Sequence, residues 1–311
     1  MRNINDFADF LKERVNLNHA RMDTLDQKMA TITGLLKGKL VSYQKYEKQG
    51  SYALGTMIKP VRDDDEVDAD LLIYMDEKVG WGARDYIDAI HDVLRKDANY
   101  RDIVRRKTRC VTIDYRGDFH VDLVPAIDKP DGVYICNYDE NRFEQTDGTG
   151  FRDWVNGKTK STNGELKRVT RLMKFLRDHK DNFSIKSILL TTLLGNSVSP
   201  SDSFEDTGTA LVTILRRLNE FLEANPRMPS VVNPALPSEE FNRHWDQSHY
   251  ENFRQKISAY LGRALDAYNE EDRNESIRKW RKLFGDHFGT IRIDGHSNER
   301  LVVPRKPYAR S

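Results

Sequence analysis

Apolar residues recur at helical spacing near the start of the chain. Phe7, Phe10, Leu11 and Val15, then Leu25, Met29, Ile32, Leu35, Leu36 and Leu40, predict helix. Gly34 and Gly38 weaken the second run locally. The stretch from Val67 to Met75 predicts a strand, polar at its start and almost wholly apolar after Asp70. The helical pattern returns from Trp81 to Leu94, with Tyr86, Ile87, Ile90 and Val93 on one side. Cys110 to Tyr115 and Phe119 to Val124 predict two strands joined by a turn at Arg116-Gly117-Asp118, a hairpin that Pro125 ends.

The texture changes from about Asn163. Leu166, Val169, Leu172, Met173 and Leu176 mark an amphipathic helix, and Ile185 to Leu194 and Thr209 to Ala224 mark two more. Pro226, Pro229, Pro234 and Pro237 punctuate a linker, after which helices are expected over Glu239 to Tyr268 and Glu275 to Phe284. A mixed first half and a helical second half predict an α+β protein of two packed lobes with a cleft between them. Residues 1–160 are assigned to a core with a long N-terminal helical segment, 161–290 to a helical lobe and 291–311 to an irregular tail.

Composition narrows the class. The 311 residues are 38% hydrophobic and 32% charged, which suits a soluble globular protein and excludes a disordered one. No apolar run approaches a membrane span and the N-terminus has no apolar signal core, so a cytoplasmic protein is expected. Cys110 and Cys136 are read as small buried hydrophobes, and two cysteines exclude a Cys-rich zinc module. Fifty basic and forty-nine acidic residues nearly cancel, which argues against a protein built to grip long nucleic acid. Two local basic clusters stand out: Arg101, Arg105, Arg106, Lys107 and Arg109, and Arg168, Arg171, Lys174 and Arg177.

Against that balance, six carboxylates occupy the eight positions from Asp63 to Asp70. Crowded like charges repel, so a positive species is expected among them. Asp63, Asp64 and Asp65 precede the strand and are read as solvated or capping loop residues. Glu66 is read as able to support a metal site there but as lying off the Asp68/Asp70 face. Asp68 and Asp70 are two apart on a strand and share one face. Asp122 sits near the end of a second, neighbouring strand. An Asp-X-Asp pair alone also describes a solvated turn, but three carboxylates from two paired strands make the oxygen-rich site that Mg²⁺ prefers. Two such ions can activate a hydroxyl and stabilise leaving pyrophosphate. Upstream, Gly50 lets backbone amides approach a phosphate and Ser51 adds a donor.

Gly50-Ser51, Asp68-X-Asp70 and Asp122 in His-Val-Asp-Leu-Val-Pro together resemble the signature of DNA polymerase β-like nucleotidyltransferases. The extended stretch Gly-Ser-Tyr-Ala-Leu-Gly-Thr-Met-Ile-Lys-Pro, followed by Val-Asp-Ala-Asp-Leu-Leu, more closely resembles the cGAS/DncV-like nucleotidyltransferases (CD-NTases) of bacterial CBASS antiphage systems. Arg171 to Leu176, Ile185 to Leu190, Val232 to Pro237 and Lys279 to Gly285 also look familiar, so the likeness runs over roughly residues 20–290.

The resemblance implies a bilobal fold with its active site between the nucleotidyltransferase core and the helical lobe. It implies that Asp68, Asp70 and Asp122 hold two Mg²⁺ ions, which Mn²⁺ can replace, with Asp122 nearest the attacking hydroxyl. Ser51 would contact the donor triphosphate, and Lys174 and Ser187 would reach its β- and γ-phosphates, although both also suit ordinary helix positions. The implied activity is synthesis of a cyclic di- or trinucleotide from NTPs, ATP among them. The product would act on a downstream effector, and the family admits a regulatory protein partner. Ile188 stands where relatives often carry an aromatic residue that stacks on a base, so base recognition is expected elsewhere. His120, on the face of Asp122, is read as a hydrogen-bonded strand histidine. Two cysteines cannot build the zinc insertion of animal cGAS, and no direct nucleic-acid activator and no membrane partner are expected. The same triad serves RNA- or tRNA-tailing transferases, the main alternative, and an idle nucleotide-binding scaffold is a third. Val303 to Ser311 offers a partner-binding or modification segment, or simply a disordered end.

Overall fold

The computed structural model describes residues 2–62, 66–115, 119–243 and 245–292. Asp63 to Asp65, the turn at Arg116 to Asp118 and the tail from residue 293 onward lie outside the described residues. Helix α1 (Ile4–Phe10) runs into a π-helical turn (Leu11–Val15) and is followed by α2 (His19–Lys39). Strand β1 (Tyr43–Gln49) leads into the short α3 (Gly50–Leu54), then β2 (Val67–Met75) and α4 (Ala83–Lys96). Five strands follow: β3 (Val104–Arg106), β4 (Val111–Asp114), β5 (Phe119–Lys129), β6 (Gly132–Asn137) and β7 (Arg142–Thr146). The second half holds α5 (Gly148–Ser161), α6 (Glu165–Lys180), α7 (Ser187–Asn196), α8 (Thr207–Ala224), the hairpin β8 (Val232–Asn233) and β9 (Leu236–Glu240), α9 (Gln247–Asn269) and α10 (Arg273–Phe284).

The sheet order is β1-β2-β5-β4-β3, with β6 pairing the later part of β5 and β7 pairing β6. Strands β2 and β5 are parallel, and their register sets Asp68 beside His120 and Asp70 beside Asp122. Period two then divides β2 and β5 by chemistry. Ala69, Leu71, Ile73, Val121 and Leu123 join Leu25, Ile32, Leu36, Ile87 and Ile90 of α2 and α4 in one buried cluster. On the opposite face, Leu72, Tyr74 and Ala126 are also buried, under Val124, Val133 and Ile135. This is why β2 turns apolar after Asp70: its later half is covered on both faces, and its first half opens to a cleft.

Several elements differ from expectation. Strand β5 does not end at Pro125 but continues to Lys129. The β4 ladder stops at Leu123 and that of β6 begins at Ala126. Pro125 thus falls between two partners, where a missing amide hydrogen is tolerated. Asp122 therefore lies near the start of its strand. Helix α5 was hidden by Gly148, Gly150 and Gly157, which lower helix propensity. It is held by its Asp147 cap, which accepts from the Gly150 amide at 2.7 Å, and by Phe151 and Val155, which pack on Leu54 of α3. Glu239 and Glu240 lie in β9, not in the following helix. Glu240 pairs back on Val232, and Asp246 caps α9 only later.

The helical lobe has its own cluster, including Leu172, Met173 and Leu176 of α6 and Leu189, Leu190 and Leu193 of α7. Each such buried side chain contributes about 1.5–3 kcal/mol. Phe7, Phe10, Leu11 and Val15 also pack in this cluster, with Phe7 edge-on to Trp280 at 5.0 Å. Asp6 fixes that arrangement by accepting from Arg273 at 2.8 and 3.0 Å. Cys110 and Cys136 are free and buried, and burial pushes both thiols up to about 12, so they behave as packing residues. Among the described residues no helix is long and apolar enough to cross a membrane.

Candidate active site

A cleft of about 690 Å³ opens where the polar half of the sheet face meets α3, α6 and α7. Gly50, Ser51, Asp68, Asp70, Asp122, Lys174 and Ser187 all line it. These residues come from five elements, α3, β2, β5, α6 and α7, and packing of the lobes brings them together.

The carboxylates are not equivalent. The Asp68 side chain is 77% exposed, whereas Asp122 is mostly covered. Thr112, opposite Asp122 on β4, donates to Asp122 Oδ1 at 2.5 Å, and Lys107 Nζ stands 3.5 Å from Oδ2. Burial, then the charges of Asp122 and Asp68, push the Asp70 carboxyl up to about 6, with Lys107 and Lys174 opposing. An all-oxygen donor set short of positive charge fits a hard divalent cation.

The backbone presses on this site from the β1 side. Gln49 ends β1 opposite Asp70, and Gly50 turns the chain into α3 with φ +59°. A methyl group on Gly50 would overlap Asp70 Oδ2 and lie 3.3 Å from Cγ. Glycine is required here for both conformation and space. Ser51 follows as the second residue of α3.

From the other lobe, Lys174 is 6% exposed, and its Nζ donates to the Thr56 carbonyl at 2.9 Å. Burial and then Arg177 lower its ammonium to about 8, while Asp178, Asp68 and Asp70 draw it back up. Arg171, one turn earlier, donates to the Gly55 carbonyl at 3.1 Å, so α6 grips the segment after α3 twice. Ser187 opens α7, and its Oγ accepts from Arg177 Nη1 at 3.2 Å. Ile188 is 39% exposed and lines the cleft.

Glu66 corrects one expectation. Two positions before Asp68, it shares that residue's parity and lines the same cleft. Its Oε2 lies 2.5 Å from His120 Nε2, while His120 Nδ1 lies 3.4 Å from Asp68. His120 therefore sits among carboxylates. Glu66, Asp114 and His120 could themselves hold a metal ion, each offering an atom within 4.8 Å of the others, though Arg105 already pairs with Asp114. Sequence reasoning named neither Thr112 nor Lys107 for this site, and it left Arg177 within a basic cluster. The spacing of Arg171, Lys174 and Arg177 on one helix face was the available signal for Arg177. Thr112 becomes visible only through strand register.

Residues 1–159 match the family model described as the Second Messenger Oligonucleotide or Dinucleotide Synthetase domain. The chain is 26% identical over 235 residues to a c-di-GMP synthase of Roseivirga ehrenbergii, a match spanning 63% of this chain and 60% of that protein. It is 22% identical over 248 residues to a cyclic AMP-AMP-AMP synthase of an Acinetobacter species, spanning 77% of this chain and 71% of that one. The fold is shared with Escherichia coli MS115-1 CdnC in its structure with ATP, at 19% identity and a TM-score of 0.71, over 92% of this chain and 98% of CdnC.

Proposed function

The chain belongs to the Second Messenger Oligonucleotide or Dinucleotide Synthetase family, and on that premise we propose that it joins nucleoside triphosphates and closes the product into a cyclic di- or trinucleotide. The observation that carries this reading is the parallel register that sets Asp70 against Asp122, with the Gly50 backbone packed on Asp70 at the mouth of the cleft.

In this reading the reaction is attack of a ribose hydroxyl on an α-phosphate, with pyrophosphate leaving. Asp68, Asp70 and Asp122 would hold two Mg²⁺ ions, or Mn²⁺ in their place, which supply positive charge to the reacting phosphate and the departing pyrophosphate. Asp122, held by Thr112, stands nearest the attacking hydroxyl and draws on its proton. Ser51 contacts the donor triphosphate. Lys174 exchanges the Thr56 carbonyl for a β- or γ-phosphate oxygen, a stronger partner for an ammonium. Arg177 donates to Ser187 Oγ, which leaves the Ser187 proton free to point at phosphate. The lobes exclude water and align the two nucleotides, which supplies much of the rate. The cyclic product acts as a second messenger for an effector in antiphage defence inside the cell, and a regulatory protein partner controls the enzyme.

The test is synthesis by the purified protein from all four NTPs with Mg²⁺ or Mn²⁺, followed by phosphatase and mass spectrometry. A phosphatase-resistant cyclic oligonucleotide is expected, and it should vanish in Asp68→Asn/Asp70→Asn. Synthesis that survives in that variant overturns the carboxylate assignment. Extension of added RNA without a cyclic product overturns the cyclase reading in favour of a tailing enzyme.

A further inference from the structure

Strand register lays two rows of side chains next to each other on the sheet. The first row carries Asp70, Asp122 and Thr112, across β2, β5 and β4. The second carries Asp68, His120 and Asp114, across the same three strands. Positions two apart on a strand share a face, so both rows point to the same side. Glu66, two residues before Asp68, joins the second row and meets His120 there. The first row offers oxygen alone. The second sets an imidazole among carboxylates, and that change of donor favours a different class of ion.

His120 has the surroundings of a metal ligand with its orienting partner. Nδ1 faces Asp68 Oδ1 at 3.4 Å. Nε2 faces Glu66 Oε2 at 2.5 Å and Asp114 Oδ1 at 3.4 Å. A carboxylate at one ring nitrogen fixes the tautomer and turns the lone pair of the other toward an ion. Arg105 pairs with the other oxygen of Asp114, Oδ2, so Oδ1 is the one on the His120 side. Ligands on a four-coordinate Zn²⁺ lie about 3.3 Å from one another. The Asp114 oxygen already stands near that separation from Nε2, and Glu66 needs to withdraw by about 0.8 Å. Glu66 is outside the β2 ladder, which begins at Val67, so this small movement breaks no strand pairing. A separate hollow of about 360 Å³, lined by Glu66, Asp68 and His120, gives an ion its way in.

We propose that Glu66, Asp114 and His120 bind a transition-metal ion such as Zn²⁺ or Co²⁺, at a site distinct from the Mg²⁺ carboxylates and coupled to them through Asp68. Mg²⁺ prefers an octahedron of oxygens and gives up water reluctantly, so it competes poorly for the imidazole. Asp68 serves both sites, orienting His120 at one and acting as a ligand at the other. An ion on His120 holds Asp68 Oδ1 to the ring and adds a divalent charge beside the triad, and both effects weaken Mg²⁺ binding there. The binding site stands on the geometry alone, and only the coupling rests on the nucleotidyl-transfer reading above.

Binding is tested apart from synthesis. Asp70→Asn/Asp122→Asn disables the first row and keeps the second. That protein is dialysed against Co²⁺ in excess Mg²⁺, and the bound metal is counted by elemental analysis. One Co²⁺ per chain is expected. Adding Glu66→Gln or His120→Gln should weaken binding at least about tenfold, with metal-free melting curves to show that each chain is folded. No Co²⁺ on the parent variant, or unchanged affinity in both added variants, overturns the site and leaves His120 an ion-paired strand histidine. For the coupling, one equivalent of Zn²⁺ should raise the Mg²⁺ needed for half-maximal synthesis about tenfold in wild type and not in Glu66→Gln. A requirement that Zn²⁺ does not move, or moves equally in both, overturns the coupling. A wild type that makes no product with Mg²⁺ alone overturns the nucleotidyl-transfer reading and leaves the dialysis result standing.

Discussion

Gly50 and Gly55 bracket α3 and form a matched pair for testing the site. Both hold left-handed backbone, with φ +59° and +65°. Alanine at either position pays the same conformational penalty of about 1–2 kcal/mol. Their surroundings differ. Nothing lies within 4 Å of a methyl group at Gly55, whereas one at Gly50 overlaps Asp70 Oδ2 and forces that carboxylate aside. A displacement of about 1 Å at a reacting centre can cost about a hundredfold in rate. Gly55→Ala should therefore lose only that penalty, a few degrees in melting temperature for a chain of this size, and Gly50→Ala at least as much. Gly50→Ala alone should lose about a hundredfold in pyrophosphate release from NTPs with Mg²⁺. Thermal melts and a coupled pyrophosphate assay measure both quantities. Equal activity in the two variants would refute the argument that the Gly50 backbone sets the Asp70 carboxylate in place.

Three further outcomes follow from the same geometry. The raised Asp70 carboxyl, near 6 against an ordinary 3.8, opposes folding increasingly from about pH 4 to pH 6 and by about 3 kcal/mol above that. Metal-free Asp70→Asn should therefore melt higher than wild type at pH 7, and added Mn²⁺ should raise the melting temperature of the wild type more than that of the variant; the opposite order in scanning fluorimetry contradicts this. Thr112→Val keeps shape but removes the donor to Asp122 Oδ1, so kcat should fall about tenfold with little change in the KM for NTP; an unchanged kcat denies Thr112 a positioning role. Burial alone would raise the Glu144 carboxyl, but hydrogen bonds from Arg109 and Asn137 and the Arg109 charge outweigh it and hold the group down to about 2. Its stabilisation, about 3 kcal/mol, is present above the unfolded value near 4.5 and is lost as pH falls toward 2, so urea melts of Glu144→Gln should show lower stability at pH 7 and a shallower loss over that window.

The sequence by itself determined the local elements and the residue types that line the cleft. Periodicity placed β2 over Val67 to Met75 and located α6, α7 and α8 to within a few residues, because one-sided burial imposes its period on the residues themselves. Asp68 and Asp70 were legible as a pair because alternation on a strand is local geometry. The tertiary structure decided what depends on partners distant in sequence. The parallel register of β2 and β5 made Asp70 and Asp122 neighbours, and the antiparallel β4 brought Thr112 to Asp122. The later half of β5 needed β6 to continue past Pro125, and α5 needed Leu54 to bury an otherwise glycine-weakened helix. The charge balance of the whole chain concealed the arginines gathered at Glu144, since composition sums over space while electrostatics acts over a few ångströms. Residue type supplies chemical capacity locally; pKa, orientation and partnership are properties of the folded surroundings, and those are fixed only when the two lobes close around the cleft.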